Sequence, residues 1–143
     1  LPGSQKEIMK LPHTICYMSK SKEGLSHDEI AGILDYASEK NNECDVSGIL
    51  LHSFGNFFQV LEGGKEHITA LYRKILKDKR HNEVFEIYNH STAKPLFMDY
   101  QSNFHVLTSN ADLQQIRKYL NAHRVSNTSE KLTRILRPFD FFD

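Results

Sequence analysis

The chain has 143 residues, and its 18 Lys plus Arg balance 18 Asp plus Glu. That length suits one domain with a core of its own, needing neither disulfides nor metal, and zero net charge argues against a nucleic-acid binder with a basic surface. Two cysteines, Cys16 and Cys44, make no disulfide framework and fit buried thiols in a reducing cytoplasm. No apolar run approaches membrane-spanning length, and none reads as a secretory leader.

Residues 1–8 lack periodicity and are set apart from the fold, as an added or unordered leader before Met9. Thr14-Ile15-Cys16-Tyr17-Met18 is β-prone and reads as a central strand. Ser26 followed by Glu29 is a capping box. Behind it Ile30, Ile33, Leu34 and Ala37 recur at helical spacing, which predicts a helix over 26–40. Strands follow over 46–53 and 56–62, joined by the hairpin connection Phe54-Gly55. Gly63-Gly64 is expected to break the strand. Ile68, Leu71, Tyr72 and Ile75 then mark a second helix ending near Asp78. Strands over 84–90 and 103–108 come next, then a helix over 110–123, a short linker over 124–129, and a shorter helix carrying Leu132, Ile135 and Leu136.

The order β-α-β-β-α-β is the ferredoxin-like split unit, an α+β fold. Two helices cover one face of such a sheet. Yet Ile15 and Tyr17 alternate with Cys16 and Met18, and Phe57 and Leu61 alternate with Phe58 and Val60, so both faces need cover. The fifth strand extends the sheet, and the C-terminal helices are the expected lid on the second face. The chain thus divides into a domain over 9–108 and a helical cap over 109–143.

Polar groups stand where a packed interior disfavours them. Tyr17 shares the parity of Ile15, and Gln59 that of Phe57 and Leu61. In a split β-α-β unit the first and third strands are neighbours, so the two side chains can meet. A buried amide left unpaired is costly, and a Tyr–Gln bond satisfies part of its demand. An ordinary core Tyr and Gln bonded to backbone fits the same pattern. Ile33, Ala37 and Asn41 lie at i, i+4 and i+8, and on the second helix Lys74 and Asp78 are spaced i, i+4 beside Ile75. Two aliphatic walls with polar ends suit a flat heteroaromatic ligand, while Lys74 and Asp78 also suit a solvated helix pair. No Walker loop, GxGxxG, metal-type CxxC or HExxH occurs, and eight scattered histidines show no ligand spacing.

Four blocks stand out: Ile15-Cys16-Tyr17-Met18-Ser19; Asn41 ahead of Asp45-Val46-Ser47-Gly48-Ile49-Leu50-Leu51; Phe57-Phe58-Gln59-Val60-Leu61-Glu62-Gly63; and Asp78-Lys79-Arg80-His81. Together they closely resemble the BLUF family of blue-light sensors. The resemblance spans residues 11–104, in family order and spacing. It implies a photoreceptor rather than an enzyme, holding a noncovalent flavin between the helices: FAD, with FMN or riboflavin as alternatives. Ile33 and Ile75 would flank the ring, and Tyr17 would be the light-driven electron and proton donor. Gln59 would stand between Tyr17 and the flavin N5/C4=O edge, and Asn41 at the C4=O and N3 side. Lys74, Asp78, Arg80 and His81 would order the pyrimidine edge and ribityl chain.

The family's tryptophan and methionine are replaced here by Tyr100 and Ser102 in the run from Lys94. The output step is therefore expected to run through Tyr100, Ser102 and the following helix. The implied partner is a downstream protein, with self-association into an oligomer and no nucleic acid or membrane. A rival reading is an RNA-binding module of RRM type, which shares the element order and sets aromatics at Phe57 and Phe58, although the basic–aromatic pattern is absent.

Overall fold

The structure, a computed structural model, describes residues 11–98, 100, 103–123, 131–134 and 136. Its elements are β1 (Pro12–Ser21), α1 (His27–Glu43), β2 (Ser47–Ser53), β3 (Asn56–Gly64), α2 (Lys65–Lys77), β4 (His81–Ser91), β5 (Phe104–Leu107) and α3 (Asn110–Ala122). The strands lie in the order β4-β1-β3-β2-β5. The first four give the ferredoxin-like α+β arrangement, and β5 adds to the edge parallel to β2.

Local chemistry sets the boundaries. At the start of α1 the Ser26 hydroxyl accepts from the Glu29 N–H at 3.1 Å, while the Glu29 carboxylate accepts from the Ser26 N–H at 3.2 Å. Such a cap stabilises a helix by about 1 kcal/mol. The helix ends where Asp45 turns left-handed (φ 57°), and the Val46 N–H returns to the Asn41 carbonyl at 2.9 Å. Phe54 and Gly55 both have positive φ, 51° and 75°, the form of a two-residue primed hairpin turn.

α1 runs to Glu43, three residues beyond its expected end, and three strand boundaries also differ from the sequence expectation. β1 is ten residues rather than five, because pairing with β3 on one side and β4 on the other extends it through polar residues. β4 begins at His81 rather than Val84. Its first residues pair with Ser21 and Lys20, and irregular register with a left-handed Glu83 (φ 49°) admits the polar start. Gly63 and Gly64 do not break β3: they pair with His13 and Pro12. A Cβ at Gly63 would stand 3.3 Å from Ile68 Cδ1, so the glycine lets α2 close onto the strand it leaves.

The sheet separates two cores. On the helix face Ile15, Tyr17, Leu50, Phe57, Leu61 and Phe104 pack against Ile68 and Tyr72 of α2 and the apolar stripe of α1. On the other face Cys16, Ile49, Leu51, Phe58 and Val60 pack against Leu113, Ile116 and Leu120 of α3 and against Leu132 and Leu136. Residues 131–134 are helical. The linker over 124–129 and Ile135 lie outside the described residues, as does the N-terminal leader.

Glu62 ties β3 to the connection after β4. It is fully buried, and its carboxylate accepts from Thr14 Oγ1 at 2.9 Å and from the N–H groups of Leu96, Phe97 and Met98 at 2.9, 2.6 and 2.9 Å. The Tyr119 hydroxyl of α3 donates to the Leu96 carbonyl, so the same segment is held from both sides.

Candidate functional site

A cavity of about 310 Å³ opens between α1, α2 and the helix face of the sheet. α1 contributes Ile33, Ala37 and Asn41, one helical stripe ending in an amide. α2 contributes Lys74 and Ile75, and the chain leaving it supplies Asp78, Arg80 and His81. Tyr17 and Gln59 form part of the floor. All nine binding positions expected from the sequence line this one space. Tyr36, Lys40, Leu50, Phe57 and Leu71 join them. The spacing of Tyr36 and Lys40 relative to Ile33 and Asn41 carried a signal for the first two, whereas Leu50 and Phe57 are brought in by strand pairing.

Tyr17 and Gln59 are register partners in β1 and β3, and the Gln59 Nε2 donates to the Tyr17 hydroxyl oxygen at 2.6 Å. Both are buried. Burial pushes the Tyr17 phenol well above the usual tyrosine range, with the Gln59 bond opposing the shift. Because the amide donates here, the tyrosine proton is available to another acceptor. Reversing the amide would turn its carbonyl toward that proton, so the same two side chains support two distinct networks. The pair sits in a row across the whole sheet: Glu86, Tyr17, Gln59, Leu50 and Val106, one residue per strand.

At the mouth, Asp78 pairs with Arg80 rather than with Lys74, the alternative partner one turn back. The Arg80 Nη2 lies 2.6 Å from Asp78 Oδ2, and the Arg80 N–H donates to Oδ1 at 2.9 Å. The chain turns immediately after α2, which carries Arg80 back over the carboxylate. The guanidinium holds the Asp78 carboxyl below its usual value. His81 Nε2 donates to the Ile75 carbonyl at 2.6 Å and Nδ1 accepts from Ser19 Oγ at 2.7 Å, which joins the end of α2 to β1. Lys40, Lys74 and Arg80 give the rim a positive bias.

The residues fit a flavin. Aliphatic side chains from two helices can bracket a flat ring, and two buried amides, Asn41 and Gln59, offer donors and acceptors to a polar ring edge. The Asn41 side chain makes no hydrogen bond to the described residues and lines the cavity, which leaves its amide for an occupant. The RNA-binding alternative fails on burial: Phe57 is 5% exposed and Phe58 0%, so neither can stack on a base. Tyr100 does not reach the cavity. It lies on the opposite face of the sheet, its ring 4.4 Å from that of Tyr119 and 5.3 Å from that of His105. Ser102 lies outside the described residues.

Fold and site together define a small α+β domain with an open cavity floored by a tyrosine–glutamine pair. The family model for sensors of blue light using FAD matches residues 13–103. The blue light- and temperature-regulated antirepressor BluF of Escherichia coli is 35% identical over 74 residues, 52% of this chain and 18% of that protein. A photoactivated adenylate cyclase subunit alpha-like protein of Euglena gracilis is 38% identical over 71 residues, half of this chain and 7% of its own. The chain therefore spans less than a fifth of these curated relatives. A solved BlrP1 BLUF structure superposes with a TM-score of 0.69 at 25% identity, covering 90% of this chain and 89% of that one. The chain belongs to the BLUF family of flavin-using blue-light sensors. No helix among the described residues is long and apolar enough to cross a membrane.

Proposed function

We propose that the cavity holds the ring system of one noncovalent FAD, and that Tyr17 and Gln59 form the photoactive pair. The observation that carries this is the 2.6 Å Gln59–Tyr17 bond on the floor of a cavity walled by Ile33 and Ile75. A bound flavin, once excited by blue light, supplies a one-electron oxidant. Tyr17 would give the electron and then its phenolic proton, passed through Gln59 to the ligand, and both return to Tyr17 when the separated charges recombine. Gln59 settles in its second arrangement, by rotation or tautomer change, and the hydrogen bonding of the ligand's carbonyl edge strengthens. Asn41 holds that edge in place. Lys74, Asp78, Arg80 and His81 order the polar end and the chain leading out of the mouth.

The change is read out on the other side of the sheet, through Tyr100 and α3, by a partner protein or by a second copy of this chain. The relatives give this reading its precedent, since one is an antirepressor and others are subunits of photoactivated cyclases. The cavity also accepts the rings of FMN and riboflavin, and the positive rim favours the phosphorylated forms.

Protein purified in the dark should be yellow and should release about one flavin per chain on denaturation; mass spectrometry then identifies its form. Blue light should move the flavin absorption slightly to the red. Tyr17→Phe keeps the flavin and loses the shift, because a phenyl ring has no O–H proton to give. Gln59→Leu loses it as well. A colourless protein that takes up no added FAD refutes the binding reading, and a wild-type light-minus-dark spectrum in either variant refutes the photoactive pair.

A further inference from the structure

A second phenol lies directly against the first. Tyr72 of α2 is 6% exposed, and its ring centroid is 5.6 Å from that of Tyr17, at a 40° tilt. It does not line the cavity. Across the sheet, Tyr17 is the register partner of Glu86 on β4, and partners in an antiparallel pair share a face. Glu86 thus stands beside Tyr72. Burial together with this carboxylate pushes the Tyr72 phenol up to about 12. Behind Glu86 the Asn89 amide donates to Glu86 Oε1 at 3.3 Å. The Asn89 carbonyl oxygen meets His13 Nε2, and His13 Nδ1 lies 2.9 Å from Ser91 Oγ. A phenol, a carboxylate, an amide and an imidazole therefore run in line away from Tyr17.

We propose that Tyr72 is a second oxidisable tyrosine, which gives an electron to oxidised Tyr17 while Glu86 takes its proton. The inference rests on the reading that excited flavin oxidises Tyr17. Tyr17, having lost one electron but not yet its proton, takes one electron from Tyr72 and is again a neutral phenol. The Tyr72 O–H bond breaks, its proton goes to the Glu86 carboxylate, and a neutral phenoxyl and a carboxylic acid result. On return, the electron taken by the flavin passes back to Tyr72 and the proton leaves Glu86 for the phenolic oxygen. No other oxidant or reductant enters.

The direction follows from electrostatics. An oxidised phenol is a strong acid, yet at Tyr17 the Gln59 amide donates to the oxygen rather than taking its proton, whereas Tyr72 has the Glu86 carboxylate beside it. After transfer to Tyr72 the proton acceptor is at hand and no new buried charge remains. The step competes with the glutamine switch, because Tyr17 keeps the proton that Gln59 would carry. Tyr72 and Glu86 therefore set how many absorbed photons reach the red-shifted state.

The test uses the flavin-loaded full chain, frozen under blue light for electron paramagnetic resonance and followed at room temperature by time-resolved infrared spectroscopy. Wild type should show two tyrosyl signals and a transient protonated-carboxyl band. Tyr72→Phe, which keeps the ring and its packing, should lose the second signal and the band. Glu86→Gln, at an exposed position that does not threaten folding, should lose the band and the second signal, and both variants should form the red-shifted state in higher yield. An unchanged radical spectrum in Tyr72→Phe overturns the proposal, as does a persisting band in Glu86→Gln. Survival of the Tyr72 radical in Tyr17→Phe overturns the relay through Tyr17. If the chain takes up no flavin, the functional reading falls and this inference with it. A normal red shift with neither signal dependent on Tyr72 removes this inference alone.

Discussion

Replacing Glu62 with alanine should destabilise the chain more than any other single truncation of a polar side chain in the sheet. Four donors converge on its carboxylate at 2.6–2.9 Å, and the residue has no exposed surface. Alanine leaves the N–H groups of Leu96, Phe97 and Met98 without an acceptor, and an orphaned buried donor costs about 1–3 kcal/mol. Partial entry of water into the vacated space reduces the sum, so the expected loss is about 4 kcal/mol. Against a total stability of about 5–15 kcal/mol, that is a large fraction. Thermal unfolding should drop by on the order of 10–15 °C. Thr14→Val removes only one of the four bonds and should cost about 1 kcal/mol. Urea unfolding followed by far-ultraviolet circular dichroism measures both, with the slope against denaturant unchanged if the two unfolded states are alike. A Glu62→Ala loss below about 1 kcal/mol would show that the carboxylate is not what holds residues 96–98.

Gly48 has φ 138° and lies against the Val60 carbonyl, where a Cβ would collide with the backbone of β3; Gly48→Ala should cost several kcal/mol, of the order seen for overpacking and forbidden backbone combined, and soluble expression and urea unfolding check it. The Asp78 carboxyl is held below its usual value by Arg80, so the stability it contributes is full above the unfolded carboxylate range near pH 4 and is lost as pH falls through the depressed value. Arg80→Gln should flatten that acid limb by less than about 1 kcal/mol, because the pair is solvent-screened, and a steeper limb in the variant would reverse the assigned sign. Ser26→Ala should cost about 1 kcal/mol by removing the α1 cap, with an equal effect on the dark and illuminated proteins. Light should also change amide exchange at Phe97, Tyr100 and through α3; equal protection in both states with the flavin fully converted would exclude this output route.

The sequence carried the site further than it carried the strand ends. Parity placed Tyr17 and Gln59 on one face, and helical spacing placed Ile33, Ala37 and Asn41 on one wall, since both periods are fixed by backbone geometry. Strand ends are set by partners instead. His81, Asn82 and Glu83 join β4 because β1 has open hydrogen-bonding groups beside them, which no property of those three residues announces. Gly63 and Gly64 read as punctuation, yet one serves the close approach of Ile68 and the other begins α2. Glu62 was visible as a charge at the end of an apolar run. Its role stayed hidden because three of its four partners are backbone N–H groups thirty-odd residues away.

At the other edge of the sheet, Asn42 does for β5 what a neighbouring strand would do. Its Oδ1 accepts from the Phe104 N–H at 2.8 Å and its Nδ2 donates to the Phe104 carbonyl at 3.3 Å. Asn42 is also the residue after Asn41, at the end of the helix that walls the cavity. The last turn of α1 and the first residue of β5 therefore cannot separate without breaking both bonds, and they should open as one cooperative unit in local unfolding. Anything that grips Asn41 from inside the cavity slows the fraying of β5, a strand it never touches. Occupancy can thus be read at the sheet edge, in the exchange rates of Phe104 to Leu107, without observing the ligand.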